Sequence, residues 1–199
     1  MNIWHDISPE RIKKDDFVAV IEIPKGSKNK YELDKETGIM SLDRVLYTST
    51  HYPANYGFIP RTFADDDDPL DVLVLCSEPI HPLTLVRCYP IGVISMADNG
   101  RADDKIIAIP FSDPTYNGYR SIFSLPKHIY DEMKHFFQVY KTLEHRDMSV
   151  DEVRDYTDAL KITQEAIDRY EEVFGDSMVS EDFRYTMSNI ENRKNRQSK

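Results

Sequence analysis

Five aspartates fall within seven residues, at positions 65 to 68 and 71, and they run directly into the apolar segment Val72–Cys76. Crowded carboxylates repel one another, so a folded protein keeps them hydrated or neutralises them with a hard cation that prefers oxygen ligands. The apolar segment predicts a strand in the core, which would place Asp71 on a rigid element. The cluster therefore indicates either a metal site or a solvated acidic loop.

A second acidic group lies at 98–104, in a predicted turn between two strands. If the strands that carry the two groups pair, their carboxylates meet at one site and require divalent cations. Ligation by carboxylates alone favours Mg²⁺ or Mn²⁺ over Zn²⁺. Because Asp and Asn are also common turn residues, two solvated turns are the alternative. The carboxylates that could meet are Asp66, Asp68, Asp71, Asp98 and Asp103.

Groups that could bind phosphate also stand near these strands. Lys30 and Glu32 alternate with Tyr31 in one short run, so both point to the same face of a strand. Taken singly, each such group is more simply interpreted as a solvated side chain, and a lysine near a helix end as a complement to the helix dipole. The other candidates are Arg44, Lys105, Tyr140 and Lys141.

The first half of the chain alternates β-type runs with turn residues, which predicts antiparallel strands closed into a small barrel. Within the longest run, Pro90 and Gly92 predict a bend or bulge. The predicted strands are Phe17–Ile23, Lys30–Leu33, Ile39–Tyr47, Val72–Cys76, Leu83–Met96 and Lys105–Ile109.

The second half changes to helical periodicity. A helix is predicted from Pro126, and its apolar stripe contains Ile129, Met133, Phe136, Phe137, Tyr140 and Leu143. A second helix ends before Gly175 and begins either at Ser149, which forms a capping box with Glu152, or at Thr157. We expect residues 1–180 to form one domain and residues 181–199 a polar tail.

Composition excludes several classes of protein. The formal net charge of -10 argues against a nucleic-acid partner bound through its phosphates. No run approaches the roughly 18 apolar residues that span a membrane, and the start of the chain lacks an export signal, so a cytoplasmic location is expected. The sequence has no GxSxG, GxxxxGK[ST], GxGxxG or HExxH motif.

The segment Asp66-Asp67-Asp68-Pro69-Leu70-Asp71 matches DxDPxD, the signature of soluble family I inorganic pyrophosphatases. Further segments occur in that family's order and approximate spacing, so the resemblance covers about 17–143. These segments are Ile21-Glu22-Ile23-Pro24, Lys30-Tyr31-Glu32, Asp43-Arg44, Tyr52-Pro53-Ala54-Asn55-Tyr56-Gly57, Asp98 with Asp103 and Lys105, and His135-Phe136-Phe137 with Tyr140-Lys141.

The resemblance implies a mainly β (α+β) fold, an OB-like five-stranded antiparallel barrel with flanking C-terminal helices. It also implies hydrolysis of pyrophosphate to two phosphates with several Mg²⁺ ions, Mn²⁺ or other divalent metals being possible. Family members of this length resemble bacterial hexamers, so a homo-hexamer is favoured. No nucleic acid or membrane partner is expected.

Residue roles carry over from the family motifs. Asp66, Asp71 and Asp103 would hold one ion, Asp71 would bridge to a second, and Asp98 with Asp103 would bind a third. Glu22 and Glu32 would complete the outer ligation, and Asp68 would accept a proton from the attacking water. Asp65 and Asp67 are expected to be flanking charges. The implied phosphate-binding residues are Lys30, Arg44, Tyr56, Lys105, Tyr140 and Lys141.

Two other functions are the alternatives. A metal-dependent phosphatase could employ these carboxylates on nucleotides or phosphomonoesters, although the chain has no plain base-binding subsite. A non-catalytic OB-fold module could bind single-stranded nucleic acid through its aromatic side chains. The net charge of -10 and the acidic strand ends weigh against that second alternative.

Overall fold

The strands of this chain close on themselves in a ring. The computed structural model describes residues 2–35, 37–98, 100–144 and 148–175. Its helices are α1 (Lys127–Val139) and α2 (Tyr156–Phe174). Its strands are β1 (Ile12–Lys13), β2 (Asp16–Ile23), β3 (Asn29–Leu33), β4 (Met40–Val45), β5 (Asn55–Phe58), β6 (Asp71–Val74), β7 (Leu85–Asp98), β8 (Arg101–Ala102), β9 (Lys105–Pro110) and β10 (Met148–Asp155).

Five strands form the ring in the order β2, β5, β6, β9 and β7, and β7 pairs again with β2 to close it. The closing pair runs from Phe17 opposite Cys88 to Val20 opposite Leu85. This confirms the mainly β, OB-like arrangement of five strands. One pairing departs from the antiparallel expectation, because β6 and β9 are parallel. Strand β7 lies between β6 and β9 in the sequence and runs antiparallel to β9. The chain therefore comes back along β9 beside β6, in the direction of β6.

Long strand β7 bends and pairs with β2, β8, β9 and β10. Its first half pairs with β2 and its second half with β10, and its register with β9 shifts between Pro90 and Gly92. A Cβ at Gly92 would lie 2.8 Å from the Ile122 side chain, so only glycine fits. The bulge predicted at this position is confirmed.

Both faces of the ring are covered by apolar residues. Alternate residues of β6 point in opposite directions, so Leu73 joins the cluster under α1 whereas Val72 and Val74 join the cluster under α2. Strand β9 divides its residues in the same way. These strands read as continuous apolar runs because each side of them is buried in an apolar cluster, one that includes α1 residues and one that includes α2 residues.

Helix boundaries differ from the sequence prediction at three places. Leu143 is not part of the α1 stripe, because α1 ends at Val139 and Leu143 lies exposed in a 3-10 turn. Ser149 does not cap a helix, since the edge of β7 recruits Met148–Asp155 as β10. Helix α2 begins after Asp155, whose side chain accepts the Tyr156 N–H, so the alternative start at Thr157 is two residues late.

The polar tail predicted at 181–199 lies outside the described residues, and the 1–180 domain boundary stays a prediction. The short runs predicted at 30–33 and 39–47 do form strands, but β3 and β4 pair only with each other in a separate two-stranded sheet and do not join the ring. Strand β5 was not predicted, because it is only four residues long and contains Gly57, a residue that is uncommon inside strands. Within the described ranges, each helix is too short or too polar to cross a bilayer.

Candidate active site

Three strand ends meet at one rim of the ring. Because β6 and β9 are parallel, their first residues, Asp71 and Lys105, are direct register partners. Strand β7 runs antiparallel to β9, so its last residue, Asp98, reaches the same rim. The two acidic groups of the sequence thus lie together, although they are about thirty residues apart in the chain.

A pocket of about 270 Å³ opens at this rim, and every predicted site residue except Arg44 lines it. Glu22 reaches it from β2, where the pairing with β5 shifts register between Ile21 and Ile23. Such bulges commonly re-aim a side chain beside a functional site. The predicted residues in the lining are Glu22, Lys30, Glu32, Tyr56, Asp66, Asp68, Asp71, Asp98, Asp103, Lys105, Tyr140 and Lys141.

The five clustered aspartates separate into two sets. Asp66, Asp68 and Asp71 line the pocket. Asp65 instead contacts Arg169 of α2, and Asp67 Oδ2 lies 3.2 Å from Arg101 Nη1. Asp67 also has a positive φ of 67°, a conformation that Asp adopts more readily than most residues. Asp65 and Asp67 thus lie outside the pocket lining, and their role as flanking charges stays a prediction.

Lys105 lies between two carboxylates at the centre of the site. Its side chain is only 3% exposed and contacts both Asp71 and Asp103. Burial alone would lower the pKa of Lys105, but the charges of Asp103 and Asp71 outweigh burial and hold that pKa well above its usual value. Lys105 is therefore a fixed cation at neutral pH.

Glu22 shows how concentrated the negative charge is. Desolvation raises its pKa to about 7, Asp71 and Glu32 add to the rise, and a hydrogen bond of 2.8 Å from the Leu33 N–H opposes it. A carboxyl group in this condition binds a proton or a metal ion readily, since either one removes the repulsion.

Two phenols complete the pocket wall. Burial raises the pKa of Tyr56 and of Tyr140 well above the usual value, so both hydroxyls stay protonated and able to donate hydrogen bonds. Tyr140 stacks on Phe136 with ring centroids 5.0 Å apart, and Tyr56 lies 6.4 Å from Phe137. The aromatic stripe of α1 thus fixes the orientation of both phenols.

The remaining cations are paired with carboxylates of the same pocket. Lys141 Nζ lies 2.8 Å from Asp98 Oδ2, and Lys30 contacts Glu32. Arg44 is the exception, because its Nε lies 2.9 Å from Glu144 Oε1 and its side chain is outside the lining. Its Nη2 is buried and has no hydrogen-bond partner among the described residues.

Sequence reasoning missed Lys35 and Trp4, which also line the pocket. Lys35 contacts Asp68 and lies under the Trp4 ring. Lys35 comes five residues after Lys30 in a turn and belongs to no alternating pattern, so the local sequence carried no signal for it. Trp4 is the single tryptophan of the chain and precedes every segment of the resemblance.

The donor set suits a hard divalent cation, because the acidic side chains at the rim offer only carboxylate oxygens. In the described part of the chain, no three Asp, Glu, His or Cys side chains are arranged as a ligand group. The ammonium of Lys105 lies against two of the carboxylates concerned. Their chemistry and their convergence nevertheless fit the expected ions.

Comparison with known proteins bears on the same region. The sequence model of the inorganic pyrophosphatase family matches residues 19–171. The chain is 47% identical over 169 residues to soluble inorganic pyrophosphatase 2 of Chlamydomonas reinhardtii, covering 85% of this chain and 88% of that one. It is 45% identical to the inorganic pyrophosphatase of Aquifex pyrophilus, covering 84% and 96%. The solved Helicobacter pylori inorganic pyrophosphatase superposes with a TM-score of 0.77 at 42% identity, over 80% of this chain and 95% of that one.

Proposed function

The chain belongs to the inorganic pyrophosphatase family and hydrolyses pyrophosphate, and we propose that the reaction occurs in the rim pocket with Mg²⁺ as cofactor and Asp68 as proton acceptor. The convergence of Asp71, Asp98 and Lys105 at one rim supports this assignment most directly. A site that combines carboxylates with fixed cations can hold both divalent ions and a phosphate anion.

The carboxylates of the pocket would hold the ions. Asp66, Asp71 and Asp103 would hold one ion, with Asp71 shared by a second and Asp98 with Asp103 holding a third. Glu22 and Glu32 would complete the outer ligation. When bound, such ions neutralise the substrate's charge and bring the pKa of water toward ~7. Mn²⁺ or another divalent metal could take the same oxygen ligands.

Asp68 needs this help to act as a base. An ordinary aspartate has a pKa near ~3.9 and bulk water one near ~15.7, a mismatch of about 12 units. Asp68 would therefore accept a proton only from water that is already activated. In the pocket its carboxylate is held by Lys35 and its backbone N–H lies 3.2 Å from Asp66 Oδ1.

The cations and phenols of the pocket would bind phosphate oxygens. Lys105 is a permanent charge, and Tyr56 and Tyr140 are protonated donors, so all three can stabilise the negative charge that develops on the leaving phosphate. Localised cations also offset the repulsion that a net charge of -10 exerts on an anionic substrate. The full set is Lys30, Arg44, Tyr56, Lys105, Tyr140 and Lys141.

A phosphate-release assay tests the proposal. Pyrophosphate should be hydrolysed rapidly with Mg²⁺ and not after addition of a chelator. Asp68→Asn should lower kcat by roughly 10² to 10⁴, the usual contribution of a general base. Asp131→Asn, on the exposed face of α1, is the matched control and should keep full activity. Full activity in Asp68→Asn would refute the assigned base, and ATP or p-nitrophenyl phosphate as preferred substrate would favour a general phosphatase.

Assembly and location are further parts of the proposal. We infer a homo-hexamer, because the chain resembles compact bacterial members of the family. Light scattering of the purified protein would measure the mass of the assembly and so the number of chains in it. A cytoplasmic location stays a prediction from the sequence, to be checked by fractionation of the source cells.

A further inference from the structure

Trp4 brings the N-terminal segment into the wall of the active site. It lies fifteen residues before the first residue matched by the family, yet it is fully buried and lines the pocket. Its Nε1 donates to the Thr62 carbonyl at 2.9 Å, and its carbonyl accepts the Arg61 N–H at 2.9 Å. Phe174 of α2 packs edge-on at 5.5 Å between centroids. The indole ring is therefore fixed from two directions.

The face of this ring carries a cation. Lys35 Nζ lies 4.9 Å from the centroid of the Trp4 ring, a distance at which an ammonium group is attracted to the π face. The Lys35 carbonyl also accepts a hydrogen bond of 3.4 Å from Asn2 Nδ2, so the same segment contacts both its backbone and its side chain. Lysine is flexible, and the contact with Trp4 restricts where its charge can lie.

The ammonium of Lys35 contacts Asp68 Oδ1. Asp68 lies at the end of an acidic turn in which its carbonyl accepts the Ala64 N–H at 2.7 Å. This turn fixes the backbone, whereas Lys35 contacts the carboxylate itself. The sequence of contacts thus runs from Thr62 and Phe174 through Trp4 and Lys35 to the proposed proton acceptor.

We infer that Lys35 and Trp4 are positioning residues for the reaction: Lys35 orients the Asp68 carboxylate, and Trp4 places Lys35. The inference rests on the proposed function, since it requires Asp68 to act as base. It assigns a role in catalysis to the segment that precedes the family-matched region. A small displacement of a reacting group lowers the rate strongly while leaving substrate contacts elsewhere intact.

Steady-state kinetics with Mg²⁺ and pyrophosphate test both residues in the full chain. Lys35→Met should lower kcat about tenfold and leave KM within about twofold, because orientation of the base is lost and substrate binding is not. Lys35→Arg should recover most of the activity. Trp4→Leu should resemble Lys35→Met, and Trp4→Phe should be milder because a phenyl ring keeps a π face. Lys127→Met, an exposed lysine paired with Asp131, is the control and should match the wild type.

A double-mutant cycle separates this role from direct substrate binding. If Lys35 acts through Asp68, then Lys35→Met should have no further effect on kcat in the Asp68→Asn background. Independent, multiplicative effects would overturn the inference. A rise in KM at unchanged kcat for Lys35→Met would also overturn it, because Lys35 would then bind the substrate.

Fluorescence gives a readout that does not depend on activity. Trp4 is the chain's only tryptophan, so emission excited at a wavelength that the twelve tyrosines do not absorb reports its surroundings alone. Lys35→Met should shift the Trp4 emission maximum, whereas Lys127→Met should not. An unchanged spectrum in Lys35→Met would contradict the contact between the two residues. Failure of the wild type to hydrolyse pyrophosphate would refute the proposed function and leave this spectral test of the contact standing.

Discussion

Arg44 Nε and Glu144 Oε1 lie 2.9 Å apart although one hundred residues separate them in the chain. Arg44 belongs to β4 of the separate hairpin, and Glu144 lies in the turn after α1, three residues beyond the pocket residue Lys141. The Glu144 side chain is only 8% exposed. This ion pair ties the hairpin that carries Lys30 to the helix end that carries Tyr140.

Removal of that carboxylate should loosen the hairpin. Glu144→Ala is expected to lower the free energy of unfolding by about 2 kcal/mol, since a hydrogen bond to a charged group is lost and Arg44 keeps a buried charge. Urea denaturation measures the change. Glu165→Ala removes an exposed carboxylate 3.8 Å from Lys161 and should change stability by less than about 0.5 kcal/mol. Equal losses in the two variants would contradict a structural role for Glu144.

Divalent ions should stabilise the fold through the pocket carboxylates. Mg²⁺ at 100 times its Kd is expected to add about 2.7 kcal/mol of stability, because it binds only the folded chain. Asp71→Asn, which removes the ligand proposed to bridge two ions, should lose most of this gain. Thermal unfolding with Mg²⁺ and with chelator measures it, and Asp131→Asn should respond as the wild type does. A full Mg²⁺ response in Asp71→Asn would place the ions elsewhere.

Stability should fall at acidic pH because of His5. Burial lowers the pKa of His5 to about 4, Asp6 opposes this shift, and Arg61 and Lys35 reinforce it. In the unfolded chain the histidine has a pKa of ~6.5. Between pH 4 and pH 6.5, therefore, His5 is protonated in the unfolded chain and neutral in the folded chain. The contribution of neutral His5 to the free energy of unfolding is therefore complete above pH 6.5. About 3 kcal/mol of it is lost as pH falls toward 4.

The His5 effect can be isolated from other titrations. His5→Phe keeps an aromatic ring at this position and removes the titrating group, so its stability should depend less on pH between 4 and 6.5. The loss of the 2.7 Å contact between His5 Nδ1 and the Tyr170 hydroxyl lowers its stability uniformly. His128→Gln, at an exposed position of α1, should keep the wild-type slope. Identical slopes in all three proteins would rule out His5 as the source.

Gly57 should tolerate no side chain. A Cβ at this position would lie 1.8 Å from the Val20 carbonyl oxygen, where β5 pairs with β2. Gly57→Ala should therefore destabilise the fold by about 3 kcal/mol or more, by forcing two ring strands apart. Gly118→Ala meets no atom within 4 Å and serves as the control in the same denaturation experiment. Comparable stability of the two variants would contradict the close approach.

The sequence alone predicted the strands and helices with strong periodicity. Apolar runs located β2, β7 and β9 to within a few residues, and the segments that resemble the family selected the carboxylates that line the pocket. Strand β10 was missed because its residues read as a helix start, and only the edge of β7 makes them a strand. Tertiary pairing here outweighs local propensity.

Contacts between distant segments could not be predicted. The pairing of Arg44 with Glu144 depends on where α1 ends against the hairpin, which no local pattern encodes. Likewise, Trp4 reaches the pocket only because Thr62 and α2 hold the N-terminal segment. The parallel register of Asp71 and Lys105 follows from the path of β7 and not from either strand's own sequence.

The closing pair of β2 with β7 has a consequence for how activity is acquired during folding. A ring becomes complete at its last pairing, and this pairing joins residues about seventy positions apart. Until it forms, Glu22 on β2 and Asp98 on β7 belong to strands at opposite edges of the open sheet β2-β5-β6-β9-β7. Recovery of pyrophosphate hydrolysis during refolding should therefore follow the slowest, most non-local step, since contacts between distant residues form late and slowly. No fragment that lacks β2 or the second half of β7 can carry the complete pocket.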